Sequence, residues 1–380
     1  MGYAPRSDTD FFYNKAVQAF QGRMVYRDFL SYHAPLFPYI ISLPLFIWNN
    51  AKVIVLFMTA MEALIVWATY RNWVSREPYA LVLMGLYYIL PVSFIAIILS
   101  SEEDIWIWGV GLLTTLLAGR MTIQADRQRS TGDQSFWIGV IWGLAMITIK
   151  SMVVVLLLPV FFLVQHKFRY VAGLSVIGIP SLVILYLLMG DAFLMPIQHS
   201  GNHMAPNLVS VTRPLLSGVY NSVSLTMVNT IGLVFTVITA SYLAFRTRHL
   251  GYKQAFPLVF VYTFSVFMLV EPSAPGFYLF THMLPLMFVL KLGKNATFAY
   301  LFILLNALLA IQPVNWVLYA GMMDYDTWSS IFYSANTVAD YVIQLISVII
   351  MVDIVRRCLR LPKITESAPV AHSHPSSSLR

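Results

Sequence analysis

A chain of 380 residues with 58% apolar and only 11% charged residues cannot cover a water-exposed surface, because soluble domains carry about a quarter charged residues. The formal net charge of +7 is spread over short loops between apolar blocks, which excludes a nucleic-acid partner and fits membrane topology instead. The lone Cys358 rules out an intrachain disulfide and a cysteine metal centre.

Met1–Tyr32 has no apolar run of the kind a cleavable signal needs. Residues 1–50 read as a first outer loop, ending in an apolar stretch, Ala34–Trp48, that contains Pro35, Pro38 and Pro44. Prolines disrupt a regular span, so this stretch reads as an interfacial helix. Apolar blocks then predict spans at about 51–70, 79–99, 104–119, 136–149, 151–164, 170–189, 227–245, 255–270, 277–290, 296–312 and 337–355. The expected fold is an all-α, polytopic integral membrane protein of about eleven transmembrane helices. It forms a single domain over residues 1–361, followed by a Ser/Pro/His-rich tail, 362–380, expected to be disordered.

Alternate loops hold 17 of the 24 Lys and Arg residues, including the pairs Arg246/Arg248, Lys291/Lys294 and Arg356/Arg357. The opposite loops gather most of the acids, among them Asp8, Asp10, Asp28, Glu102, Glu103, Asp104, Glu271, Asp324 and Asp326. The positive-inside rule puts the basic loops and the C-terminus in the cytoplasm, as in a bacterial inner or plasma membrane, with the acids facing out. This alternation survives only if Phe136–Val164 is two short segments meeting near Lys150, which opens that lysine toward the outer side. An ionisable group at membrane depth lines a cavity or has a partner.

The opening segment contains Asp8, Ala16 and Gly22, then Tyr26-Arg27-Asp28-Phe29 and His33-Ala34-Pro35-Leu36. Here the chain resembles the GT-C glycosyltransferases, in the branch of protein O-mannosyltransferases and the lipid A aminoarabinose transferase. Weaker matches follow at Ser101-Glu102-Glu103-Asp104, at Lys150, and from Tyr278 to Pro285-Leu286. Two features depart from the pattern. Ala34 stands where the family usually has a first proline, and only seven residues precede Asp8, where the family usually has a transmembrane helix.

The resemblance implies transfer of a sugar, with inversion, from a polyprenyl-phosphate carrier to a hydroxyl of a lipid, glycan or protein acceptor. A first-loop carboxylate, Asp8 or Asp10, would act as general base. Hydroxyl attack on carbon gains from such a carboxylate, and a departing phosphate needs cations, for which Arg27, Lys150 and Arg213 are candidates. Tyr26, Asp28, His33, Glu102, Glu103, Glu271, Tyr278 and His282 are the remaining substrate-site candidates.

Plainer readings stand beside each of these. Asp8 and Asp10 are read equally as solvated loop acids, Asp28 as an ion-pair partner of Arg27, and the 102–104 acids as a helix N-cap. Lys150 is also read as a structural lysine paired with an outer acid. Mid-span Glu62 reads as an interhelical hydrogen bond, and His199/His203 as loop residues rather than a metal site. Asp324 and Asp326 read as a solvated loop, and Trp106, Trp108 and Trp316 as an interfacial belt. No cofactor is specified; a divalent cation is compatible with the outer acids and not required by them. A secondary transporter or lipid flippase, or a non-catalytic membrane subunit, remains the alternative function.

Overall fold

The structure, a computed structural model, describes residues 8–74, 79–124, 127–195, 202–320 and 324–367. Among these every regular element is helical, and strand-like pairing is limited to one parallel bridge between Val25 and Phe29. The longer helices are α1 (Asp8–Phe20), α2 (Phe37–Ser42), α3 (Ala51–Thr69), α4 (Ala80–Ile89), α5 (Pro91–Phe94), α6 (Ile105–Gln124), α7 (Arg127–Thr148), α8 (Val154–Leu163) and α9 (Lys167–Met189). After two short helices come α10 (Leu225–Thr247), α11 (Tyr252–Val270), α12 (Leu279–Val289), α13 (Ala296–Asn315) and α14 (Ala335–Ser367).

Helices begin where a polar cap meets an apolar run. Asn50, Ser224 and Asn295 each accept a hydrogen bond from the first turn of α3, α10 and α13 respectively. Among the described residues six helices are long and apolar enough to cross a membrane, or seven when α4 and the Pro91–Leu99 segment, bent by 56°, count as one span. The break falls at Pro91, which cannot donate the backbone hydrogen bond a continuous helix requires. Shorter apolar helices cover Phe37–Phe46, Ile105–Gly119, Ser151–Leu163 and Gly276–Val289.

Segment 136–149 belongs to a longer helix, α7, because its polar first turns continue the same helical path. α14 likewise runs to Ser367, past the boundary expected at 361, and the tail from residue 368 lies outside the described residues. The proline-bearing stretch after Ala34 forms α2 and a 3-10 turn, Leu43–Phe46, which leaves Phe46 and Ile47 exposed.

α11 is the central post, with 78% of its span buried against α6, α8, α10, α12 and α14. Along it, Phe256, Phe260 and Phe264 pack in a row of tilted ring contacts, and Trp108 packs against the first two. α9 is the outermost helix, with only 6% of its span buried. Its exposed Phe168, Ile179 and Leu187 leave a face that water would not tolerate and a bilayer would. α9 holds to α7 through a close backbone contact: a Cβ on Gly173 would lie 2.1 Å from the Phe136 carbonyl oxygen. Small residues at such a crossing let two membrane helices meet.

Trp106 and Trp108 are core residues rather than an interfacial belt. Both are buried, and Trp108 Nε1 donates to Thr69 Oγ1 at 2.9 Å. An indole inside a bundle needs such an acceptor, and α3 supplies it. Glu62 meets its expectation as an interhelical bond, accepting from Tyr87 Oη at 2.8 Å.

The helices give the molecule two chemically distinct ends. α6, α8 and α12 start beside Asp104, Lys150 and Tyr278, while α7 finishes there. At the far end, the segment after α3, the start of α11 and the turn after α12 meet around Asn72, Lys253, Lys291 and Lys294. Lys253, Lys291 and Lys294 therefore lie at the end of the bundle opposite Glu103 and Asp104.

Candidate functional site

The site forms where the chain between α1 and α2 lies down on the end of α7. Leu36 N donates to Ile147 O at 2.9 Å and Ala34 N to Ile149 O at 3.2 Å, which brings His33 to the α7–α8 break. Lys150 occupies that break in extended conformation, φ −154° and ψ 144°. The break separates α7, of 22 residues, from α8, of 10 residues, so the chain does divide near Lys150, though only the second segment is short. The turn Tyr26–Phe29 is closed by Tyr26 N donating to Phe29 O at 2.9 Å, with Tyr26 at positive φ, 65°. The buried Tyr26 hydroxyl donates to the His33 carbonyl oxygen, tying this turn to the site.

Lys150 Nζ lies 2.9 Å from Asp104 Oδ1 and 3.4 Å from Glu103 Oε1. The same Glu103 oxygen lies 3.2 Å from His33 Nε2, and Lys150 Nζ sits 4.7 Å from the centroid of the Tyr278 ring. On the other side of the imidazole, Lys15 Nζ approaches Nδ1 at 2.9 Å. His33 is stacked on Phe37 at 4.6 Å and touched edge-on by Phe12 at 5.0 Å. Glu103 and Asp104 have no exposed surface, and Asp104 Oδ2 has no hydrogen-bond partner among the described residues.

Burial disfavours charge in this cluster, and the neighbours decide who keeps it. Burial pushes the His33 imidazole down to about 4, so it is neutral at pH 7. Burial works to lift the Glu103 carboxyl, but His33 and Lys150 hold it well below the usual range. Burial opposes the charge on Lys150, yet Asp104 and Glu103 hold its ammonium well above the usual range. Asp104 itself is raised by burial despite Lys150. A fixed cation, an anion and a neutral imidazole thus share one dry site.

The structure joins the first-loop, second-loop, Lys150 and Tyr278 candidates. Glu102 is buried beside the pair and adds to the field on Lys150. Thr9 is buried, its Oγ1 2.9 Å from Ser101 Oγ and donating to Leu99 O at 3.1 Å. The start of α1, with Asp8 and Asp10 on either side of Thr9, therefore rests on the segment leading to Glu102. Asp10 is half-buried, and the Asp8 side chain lies outside the described residues.

Other candidates fall elsewhere. Arg27 is exposed and its Nε donates to Asp28 Oδ1 at 2.9 Å, which is the ion-pair reading of Asp28. Arg27 and the Met24 amide hold the Asp28 carboxyl at about 2. Arg213 belongs to a separate cluster: its Nε lies 2.6 Å from Asp326, its Nη1 bonds Asp324, and His203 Nε2 is 3.1 Å away. Asp324 and Asp326 are thus ion-paired rather than merely solvated, because Arg213 reaches both across the chain fold. This cluster edges a cavity of about 370 Å³ that includes Tyr220 and Asn221. His199 lies outside the described residues.

His282 faces α11, its Nε2 3.1 Å from Ser265 Oγ, and is not part of the Lys150 cluster. Glu271 is buried just beyond α11, burial lifting its carboxyl to about 8, and its Oε2 has no hydrogen-bond partner among the described residues. Among those residues no group of three His, Cys, Asp or Glu side chains could hold a metal ion.

Sequence reasoning missed Lys15. The signal was present: Phe12, Lys15, Ala16 and Ala19 recur at helical spacing on the buried stripe of α1, and Lys15 is the lone cation there. The chain matches no protein-family model, no curated protein and no solved structure.

Proposed function

We propose that the chain is a GT-C-like glycosyltransferase. It moves a sugar from a polyprenyl-phosphate carrier to an acceptor hydroxyl at the membrane face that carries the acidic loops. The observation supporting this reading is the meeting of Lys150, held by Asp104 and Glu103, with His33 of the first loop at one end of an apolar helical bundle. The acidic end faces the extracytoplasmic side, the C-terminus is cytoplasmic, and the shorter apolar helices at 105–119, 151–163 and 276–289, with the 136–149 part of α7, complete the set of eleven crossings.

In this reaction the acceptor O–H proton passes to Asp10 or Asp8, and the freed electron pair forms a bond to the anomeric carbon. The carbon–oxygen bond to phosphate breaks from the opposite side, its electron pair staying on the departing polyprenyl phosphate. Lys150 faces that growing negative charge, and the low local polarity strengthens the interaction. His33, neutral and pinned from both sides, orients Glu103 and through it Lys150.

The test is reconstitution with a polyprenyl-phosphate sugar and chromatographic measurement of released polyprenyl phosphate. An Asp8→Asn, Asp10→Asn double variant is expected to lose about 10²–10⁴-fold in turnover. Unchanged turnover in that variant overturns the proposed base. Solute uptake into proteoliposomes with no release of polyprenyl phosphate overturns the reaction.

A further inference from the structure

The cavity of about 370 Å³ beside Arg213 belongs to the same end of the bundle as Lys150. Its segment from His203 is anchored there: Met204 N donates to Pro272 O at 2.8 Å, and a Cβ on Gly276 would lie 2.9 Å from Pro206. Tyr278, the ring beside Lys150 Nζ, follows on that anchoring segment. The cavity lining is part polar, with His203, Arg213, Tyr220 and Asn221, and part aliphatic, with Val223 and Leu225. The polar groups are held in place from outside it. Asp324 and Asp326 take Nη1 and Nε of Arg213, and Tyr325 Oη donates to Asp340 Oδ2 at 3.0 Å, tying that loop to α14. Tyr220 Oη lies 3.0 Å from Thr212 Oγ1, and Tyr341 Oη donates to Val211 O at 2.7 Å. Groups ordered in advance lose less freedom when a ligand arrives.

Charge decides what fits. Arg213 faces two carboxylates, and burial lowers the His203 imidazole, so the cluster has no surplus positive charge. A phosphate would be repelled by those acids, and a neutral ligand is not. Arg213 Nη2, which neither acid takes, is a donor; the Asn221 amide and the Tyr220 hydroxyl both donate and accept. Hydroxyl groups have that same double character, and the aliphatic part of the lining suits the C–H faces of a ring. The volume falls at the low end of the range of about 300–1,000 Å³ for small-molecule sites. Building on the glycosyl-transfer reading, we propose that this cavity holds a sugar ring of the acceptor. The accepting hydroxyl then belongs to a saccharide and not to a protein side chain. Arg213 serves the acceptor, and the departing phosphate is left to Lys150.

The experiment offers the full chain in nanodiscs the methyl glycosides of glucose, galactose, mannose and N-acetylglucosamine in water. A second arm offers the same sugars as diacylglycerol glycosides in the bilayer, which tells a glycolipid headgroup from a free glycan. Saturation-transfer NMR reads binding in the first arm, and native mass spectrometry reads retention in the second. At least one sugar is expected to bind. Asn221→Ala should weaken that binding about three- to tenfold, as loss of a hydrogen bond does. Val223→Phe, which fills the cavity, should abolish it. A diazirine derivative of the bound glycoside should label the parent chain within 203–228, a readout that needs no variant to fold. No sugar bound in either arm, binding indifferent to both substitutions, or labelling confined to other segments overturns the proposal. Displacement by millimolar inorganic phosphate shows an anion site and also overturns it. Binding is read without turnover, so the two readings fail separately. A chain that binds the glycoside but releases no polyprenyl phosphate keeps the saccharide site and loses the transfer. Release of polyprenyl phosphate by a chain that binds no glycoside overturns the acceptor assignment alone.

Discussion

Lys15 Nζ stands 2.9 Å from His33 Nδ1, a cation facing an imidazole nitrogen inside the protein. A lysine ammonium only donates, so Nδ1 accepts and the imidazole proton sits on Nε2, which lies 3.2 Å from Glu103 Oε1. Lys15 thereby fixes the tautomer, while burial, helped by the Lys15 charge and opposed by Glu103, keeps the ring neutral.

The first prediction follows from that neutrality. His33 titrates near 6.5 when unfolded and is lowered to about 4 in the folded protein. Between those values the unfolded chain binds the extra proton, so stability is full above pH 6.5 and falls as pH drops toward 4. The loss from this one group is about 3 kcal/mol. Thermal unfolding followed across that range should show a falling midpoint, and His33→Gln should flatten the slope; an equal slope in the variant counts against the account.

Lys150 offers a second test, of pairing. Replacing it with Met leaves Asp104 and Glu103 buried without their cation, a loss of about 3–5 kcal/mol. Adding Asp104→Asn to Lys150→Met should recover part of that loss, because the orphaned charge goes with it. A double-mutant cycle on unfolding midpoints measures the coupling, and strict additivity denies it.

Arg27 should behave in the opposite way. It is exposed and satisfied by its own neighbour Asp28, so Arg27→Gln should leave release of polyprenyl phosphate within about twofold of the parent. Lys150→Met should abolish it. Comparable losses in the two variants place the essential cation somewhere other than the Lys150 cluster.

The glycines of α9 give a prediction independent of chemistry. A Cβ on Gly173 meets the Phe136 carbonyl oxygen at 2.1 Å, while one on Gly178 meets nothing within 4 Å. Gly173→Ala should therefore cost about 1–3 kcal/mol by forcing α7 and α9 apart. Gly178→Ala, in open space on the same helix, should be neutral or stabilising by about 0.5–1 kcal/mol. Unfolding midpoints in one detergent compare them directly.

Much of the architecture was legible in the residues themselves. Apolar block length and loop charge located the helices, and the demand that charge alternate correctly split Phe136–Val164 at Lys150. What escaped was the depth of the polar groups. The 102–104 acids read as a substrate-site cluster or a helix N-cap, neither of which says that Glu103 is sealed, as it is. Lys15 was missed although its place on the apolar stripe of α1 marks it as buried; what the stripe does not name is its partner 18 residues away. Arg213 shows the converse, since three loose cations in a sequence cannot be sorted into sites without knowing that Asp324 lies 111 residues along the chain and in contact. The Trp108 indole looked like a membrane-surface ring because its acceptor, Thr69, sits on another helix.

The interruption at Lys150 also sets an order of events during synthesis. Glu103 and Asp104 leave the ribosome 46 or more residues before the lysine that neutralises them, and His33 precedes both. Until the end of α7 has turned back, Glu103 and Asp104 lack the ammonium that holds them in the finished protein, and burying both carboxylates without it is costly. Lys150 supplies that charge, and Tyr278, later still in the chain, adds its ring 4.7 Å from the ammonium.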